Sequence, residues 1–264
     1  MTNRRQSMLR SAASLCRGIG DLLLPGLCPA CNQRPPTLDG LCERCARARL
    51  MLLAMPYCPR CGSTLGPGIR LDPGGCWQCP SPLPRFTRTV RLGPYAEPIR
   101  QTVRQLKYGR LDTLSAAATD LLAHAIRQAD DLPLPDVIVA IPAHWRRRIG
   151  RGRDHAALIA RRLSRALGVP LQTLLTRTRP TPPQTHLSRS ARITNVRNAF
   201  AAKDTASLKD AHVLLIDDVT TTGATANECA RTLRTAGASH VTLGVLAKSE
   251  PPEAYAEYLP AQDA

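Results

Sequence analysis

Two groups of residues in this chain have types and spacings suited to chemistry. One is a run of carboxylates and hydroxyls: Asp217, Asp218, Thr220, Thr221, Thr222, Gly223, Ala224 and Thr225. The other is four Cys-x-x-Cys pairs: Cys28/Cys31, Cys42/Cys45, Cys58/Cys61 and Cys76/Cys79. Each pair places two thiolates on one side of a tight knuckle, and two knuckles complete a tetrahedral zinc site. The simplest arrangement joins 28/31 with 42/45 and 58/61 with 76/79, giving two sites. An interleaved arrangement satisfies the same spacing. Disulfides are the alternative that a reducing compartment disfavours, and iron–sulfur ligation remains open. Cys16 and Cys229 stand apart from the pairs and read as ordinary helix residues.

The carboxylate–hydroxyl run sits between two recognisable elements. Val213–Ile216 is a continuous apolar run, the pattern of a strand buried on both faces. Downstream, Ala226, Ala230, Leu233 and Ala236 recur at helical spacing, and Gly237 fits a helix stop. A loop entering a helix presents backbone N–H groups and a partial positive charge, which suits a phosphate. Gly223 allows close backbone approach, the threonine hydroxyls donate to phosphate oxygens, and the paired acids accept from vicinal hydroxyls. A site that reads phosphate and diol together is a ribose-5-phosphate site. It is not a Walker A loop, which needs a Gly-Lys-Ser/Thr sequence absent here.

The elements that must carry these residues follow in order. Phe86–Tyr95 reads as an entry strand or hairpin. Ile99–Tyr108 puts Ile99, Val103 and Leu106 on one helical face, with Lys107 beside it. A second helix spans Leu114–Ala129. Asp136–Pro142 is another apolar strand, leading into a basic glycine-containing loop with Arg146, Arg147, Arg148, Arg151, Gly152 and Arg153. Ala156–Leu167 is the helix after it. Strand, basic loop, helix is a second anion-binding arrangement, able to neutralise a pyrophosphate. A short strand near Val169–Leu175 precedes residues 177–200, rich in Pro, Thr and Arg, which read as a long functional loop. His240–Leu246 is the last strand.

Composition bounds the classes. At 264 residues with a shift in character near residue 90, two domains are expected. The proposed boundaries are an amphipathic helix over 1–24, a cysteine module over 25–85, an α/β domain over 86–250 and a tail over 251–264. The formal charge of +16 favours anionic partners. Lys107, Lys203, Lys209 and Lys248 are the only lysines, so arginine carries most of that charge. No stretch approaches the roughly 18 uncharged apolar residues of a membrane span, and a cytoplasmic location is expected. Aromatic residues able to stack on bases are few in the cysteine half: Tyr57, Trp77 and Phe86.

The order of strand, acid pair, Thr-Thr-Gly-Ala-Thr and helix resembles the phosphoribosyl-pyrophosphate (PRPP) motif of type I phosphoribosyltransferases. With the cysteine pairs in front, the chain is most similar to the ComF/GntX family, over roughly residues 25–250. The resemblance implies a type I phosphoribosyltransferase fold, a Rossmann-like parallel sheet preceded by a small zinc-ribbon-like module. It implies that Asp217 and Asp218 meet the ribose hydroxyls, directly or through Mg²⁺, and that Thr221, Thr222, Gly223, Ala224 and Thr225 cradle the 5′-phosphate. Arg147, Arg151 and Gly152 of the basic loop would hold pyrophosphate. Residues 177–200 match the mobile flap, with Arg177, Gln184, Leu187, Arg192, Asn195 and Phe200 at the family's spacing, Arg192 among the PRPP contacts. The family pattern Arg-Gly-Phe-Asn-Gln reads Arg151-Gly152-Arg153-Asp154-His155 here, and the acid that purine salvage enzymes use toward the base is Thr221. The implied roles are natural competence and DNA uptake, with competence or DNA-processing proteins as partners. Two readings stand side by side: a transferase displacing pyrophosphate from PRPP with a nucleobase or amine acceptor, and a non-catalytic factor binding PRPP and single-stranded DNA.

Overall fold

The computed structural model describes residues 27–28, 30–31, 33–37, 41–72, 74–107, 113–129, 133–143, 154–179 and 188–258. The expected helix over 1–24, Arg147, Arg151, Gly152 and part of the flap lie outside them. A four-stranded parallel sheet organises the chain: β1 (Arg88–Pro94), β6 (His240–Lys248), β5 (His212–Thr220) and β2 (Val137–Ala140), in that order. The two middle strands are the continuous apolar runs, as burial on both faces requires.

Each face has its own core. On one side Val90, Leu92, Leu214 and Ile216 pack against helices α2 (Ile99–Lys107), α3 (Thr113–Arg127) and α4 (His155–Leu167). On the other, Val213, Leu215, Leu243 and Val245 meet α6 (Ala224–Thr235) and a hairpin of β3 (Leu175–Arg177) and β4 (Phe200–Ala202). Between β3 and β4 the chain includes α5 (Arg189–Val196), capped by Ser188, whose hydroxyl accepts from Ala191 N. The stretch read as one long loop is therefore partly built structure, because Phe200 and Val196 are apolar enough to bury. The strand expected near Val169–Leu175 divides in two. Leu171 makes a single parallel bridge to Ile138, and only Leu175 begins β3.

In the cysteine half a helix, α1 (Glu43–Ala54), follows the second Cys-x-x-Cys pair. Its weak amphipathic pattern hid it from the sequence reading, yet Leu52 is fully buried against β1. Residues 251–258, expected as a tail, form two short 3₁₀ turns. Tyr255 is buried there and the Tyr258 hydroxyl donates to Leu65 O at 2.6 Å. Among the described residues no helix is long and apolar enough to cross a membrane.

Candidate nucleotide-sugar site and cysteine centres

The apolar run expected as a strand ends at Ile216, but β5 continues through the acid pair and pairs with β6 as far as Thr220. Backbone ladder bonds hold both carboxylates at the carboxyl edge of the sheet, where open α/β sheets place ligands. Each is half-buried and further fixed by its neighbour's amide: Asp217 Oδ1 accepts from Asp218 N at 2.8 Å, and Asp218 Oδ1 from Val219 N at 2.7 Å. The turn is Thr221–Gly223, and α6 begins at Ala224, two residues earlier than the apolar spacing indicates.

Gly223 is the N-cap of α6 with φ 75°, a left-handed conformation that glycine adopts without penalty. Its missing side chain leaves the loop open on a face where Phe86 packs close by, 3.6 Å from where a Cβ would stand. Thr222 Oγ1 accepts from Ala224 N at 3.3 Å, and the first helical bond runs from Asn227 N to Gly223 O at 2.7 Å. Arg192, on α5, reaches over to donate to Thr221 Oγ1 at 3.1 Å. Of the expected PRPP contacts, the structure thus brings together Asp217, Asp218, residues 221–225 and Arg192.

Asp154 has a local role. It caps α4, accepting from Ala157 N at 3.2 Å and from Ala143 N at 3.5 Å, so its charge faces a helix N-terminus. The sequence reading missed Lys248. This buried lysine at the end of β6 donates from Nζ to Thr221 O at 2.8 Å, beneath the threonine turn. A lysine closing an otherwise apolar strand, in a chain nearly free of lysine, was the available signal.

The eight paired cysteines form two tetrads, Cys28/Cys31/Cys42/Cys45 and Cys58/Cys61/Cys76/Cys79, with the four sulfurs of each within 4.8 Å of one another. This is the simple pairing rather than the interleaved one. Sγ–Sγ separations of 3.7 Å occur for Cys31–Cys42, Cys58–Cys79 and Cys61–Cys76. Zinc–sulfur bonds of about 2.3 Å in a tetrahedron give an edge of about 3.8 Å, whereas a disulfide needs about 2.05 Å. The donor set and spacing therefore fit zinc.

Electrostatics points the same way. Burial opposes ionisation of Cys28, but backbone N–H groups of Cys42, Cys31 and Ala30 outweigh it and bring the thiol down to about 6. Burial and the neighbouring sulfurs push Cys45 up. In the second tetrad, hydrogen bonding with Cys61 lowers Cys58, while the Cys58 bond and burial push Cys61 up to about 12. Four sulfurs this close cannot all ionise alone, and a central dication removes that conflict. Of the three aromatic residues, Tyr57 lies under the Arg91 guanidinium at 5.1 Å and Phe86 is buried. Trp77, between Cys76 and Cys79, is 77% exposed.

A parallel sheet with an acid pair at its carboxyl edge, followed by a glycine-capped helix, defines a type I phosphoribosyltransferase fold. Residues 153–258 match the family model described as "Phosphoribosyl transferase domain". The chain is 36% identical to the "DNA utilization protein YhgH" of Salmonella typhi over 86% of its own length and 99% of the relative's. It is 32% identical to "Competence protein F" of Haemophilus influenzae, covering 80% and 91%. The chain belongs to this ComF-like family. Among solved structures, a purine phosphoribosyltransferase from Pyrococcus horikoshii aligns with 24% identity over 51% of this chain and 72% of that one, at TM-score 0.33.

Proposed function

We propose that the protein binds PRPP with Mg²⁺ and acts in the cytoplasm in natural competence and DNA utilisation. The observation that carries this reading is the position of Asp217 and Asp218 near the strand end before a glycine-capped helix start, with Arg192 of α5 donating to Thr221 of the intervening turn. In this reading the two carboxylates accept from the ribose hydroxyls, directly or through the metal. Residues 221–225 hold the 5′-phosphate on backbone amides and hydroxyls, and Arg147, Arg151, Gly152 and Arg192 hold pyrophosphate. Mg²⁺ arriving with PRPP neutralises the leaving group. If transfer to a nucleobase or amine acceptor follows, pyrophosphate departs through an oxocarbenium-like state stabilised by held charge and excluded water. Thr221 offers no carboxylate to an acceptor base, so the binding function is the primary claim.

Calorimetric titration of zinc-loaded protein with PRPP and Mg²⁺ tests it. Saturable binding, abolished in the Asp217→Ala/Asp218→Ala variant, is expected. Absence of binding by the intact protein would overturn it.

A second reading, single-stranded DNA binding through the cysteine module, is favoured by Trp77. The ring lines an open groove of about 500 Å³ with Ile69, Arg70, Asp72 and Leu83, a flat apolar platform beside an exposed arginine. Stacking one base there is worth about 1–3 kcal/mol. Trp77→Ala should therefore weaken oligo(dT) binding about 5–150-fold by fluorescence anisotropy, with Trp77→Phe restoring most of it. Equal affinity in all three proteins would remove the groove from consideration.

A further inference from the structure

The two cysteine tetrads meet the sheet by different routes. The first connects through α1, whose Leu52 and Met55 enter the core beside β1. The second lies against β1 and the Lys248 side chain, whose Nζ reaches Thr221 O. Its knuckle turns at Gly62, with φ 76°, and a Cβ there would stand 2.8 Å from Thr89 Cγ2 and 3.5 Å from Lys248 Cδ. Two residues on, Thr64 donates from its backbone N and its hydroxyl to the two oxygens of Glu250, at 2.8 and 2.7 Å.

The three residues closing β6 and leaving it, Lys248, Ser249 and Glu250, therefore form a strap with two ends. Lys248 Nζ holds Thr221 O at 2.8 Å, and Ser249 N holds Thr220 O at 2.8 Å. Glu250 holds the knuckle. On the far side, the chain leaving Cys79 returns to the same loop. Arg85 N donates to Asn227 Oδ1 at 2.7 Å, and Phe86 covers Gly223.

The direction of the Lys248 bond matters. In a planar trans peptide, the carbonyl oxygen of one residue and the N–H of the next point opposite ways. Pulling Thr221 O toward Lys248 therefore turns Thr222 N–H the opposite way, away from Lys248. Without that anchor the turn can rotate its peptide planes, because Gly223 imposes little restraint of its own.

We propose that the metal centre at Cys58, Cys61, Cys76 and Cys79 is a positioning element of the phosphate loop. It acts through the Lys248–Glu250 strap, with Lys248 as the positioning residue, and the Cys28/Cys31/Cys42/Cys45 centre has no such role. The ligand consequence rests on the PRPP reading above; the mechanical coupling does not. By linkage, an anion bound on the loop tightens metal at the second centre and leaves the first unaffected.

The test is amide hydrogen exchange over residues 218–226 in the full zinc-loaded chain, with zinc counted by atomic emission. Wild type should hold two zinc ions. Lys248→Met, which removes no cysteine, should retain both and speed exchange at 222–226 about tenfold or more, the scale of one lost charge-assisted hydrogen bond. Cys76→Ser/Cys79→Ser should lose one zinc ion and speed exchange at the same amides, and Cys28→Ser/Cys31→Ser should lose the other and leave those amides unchanged. Equal loosening from both cysteine variants, or no effect of Lys248→Met, would overturn the proposal. If the second-tetrad variant exchanges globally because it has unfolded, Lys248→Met decides alone. PRPP titration runs in parallel. Binding weakened about tenfold by Lys248→Met supports the loop geometry. Absence of wild-type binding removes the PRPP reading while the exchange result still judges the strap.

Discussion

The strap depends on one buried ion pair, and its removal can be given a magnitude. Arg91, in the middle of β1, donates from Nη1 to Glu250 Oε2 at 2.9 Å and from Nη2 to Thr64 Oγ1 at 2.7 Å. Its side chain is 0% exposed and that of Glu250 4% exposed. Burial works against the guanidinium's charge, while the Glu250 carboxylate and the Tyr57 ring beside it favour that charge. Arg91→Met keeps the apolar stem but strands the carboxylate with only the Thr64 donors. Leaving one member of a buried pair unpartnered costs about 3–5 kcal/mol. At about 2–4 °C per kcal/mol for a chain of this size, the melting temperature should fall by about 6–20 °C. Scanning calorimetry of zinc-loaded protein reads this directly. The double variant Arg91→Met/Glu250→Gln should recover part of the loss, because no charge then remains buried. A single-variant shift under about 2 °C would mean that the pair is solvated in solution and does not join the knuckle to the sheet.

Two further outcomes follow from local chemistry. His212 is buried at the start of β5, with Nε2 2.9 Å from Thr242 Oγ1. Burial foremost, then the nearby His240, lowers its pKa, against an opposing contribution from Asp136. A histidine depressed in the folded state binds its proton first in the unfolded chain. Stability is then full above pH ~6.5 and declines as pH falls from there toward the lowered folded value. Urea midpoints of wild type should drop between pH 7 and 5.5 more steeply than those of His212→Asn, and parallel curves would refute this. At α4, Asp154→Ala should cost about 0.5–2 kcal/mol in urea unfolding while Asp154→Asn stays near wild type. Equal losses would show that the carboxylate's charge, rather than its capping oxygen, is what the helix uses.

Much of the site was legible because its signals are local. The buried-strand pattern of Val213–Ile216, the acid pair, Gly223 and the threonine run depend on neighbours a few residues away. So do the four cysteine knuckles, but their spacing allowed an interleaved pairing as well, and only the fold groups 28/31 with 42/45 and 58/61 with 76/79. The sequence was less informative where polar residues complete apolar elements. The apolar run stops at Ile216, yet the β6 ladder extends β5 through Asp217 and Asp218 to Thr220. The helix α1 was hidden because most of its residues are charged or small and its burial rests chiefly on Leu52.

The amino-acid order by itself determined the acid pair and glycine turn between a buried strand and a helix, four Cys-x-x-Cys knuckles and a parallel α/β sheet, because backbone propensity, burial period and ligand spacing are short-range properties. Only the tertiary structure decided that Lys248 Nζ meets Thr221 O, that Glu250 bridges Arg91 to Thr64, and that the Gly62 knuckle lies against Thr89 and Lys248. Thr64 and Glu250 are 186 residues apart in sequence. Their contact exists because β1 and β6 pair in parallel and bring a cysteine knuckle and a strand end to the same place.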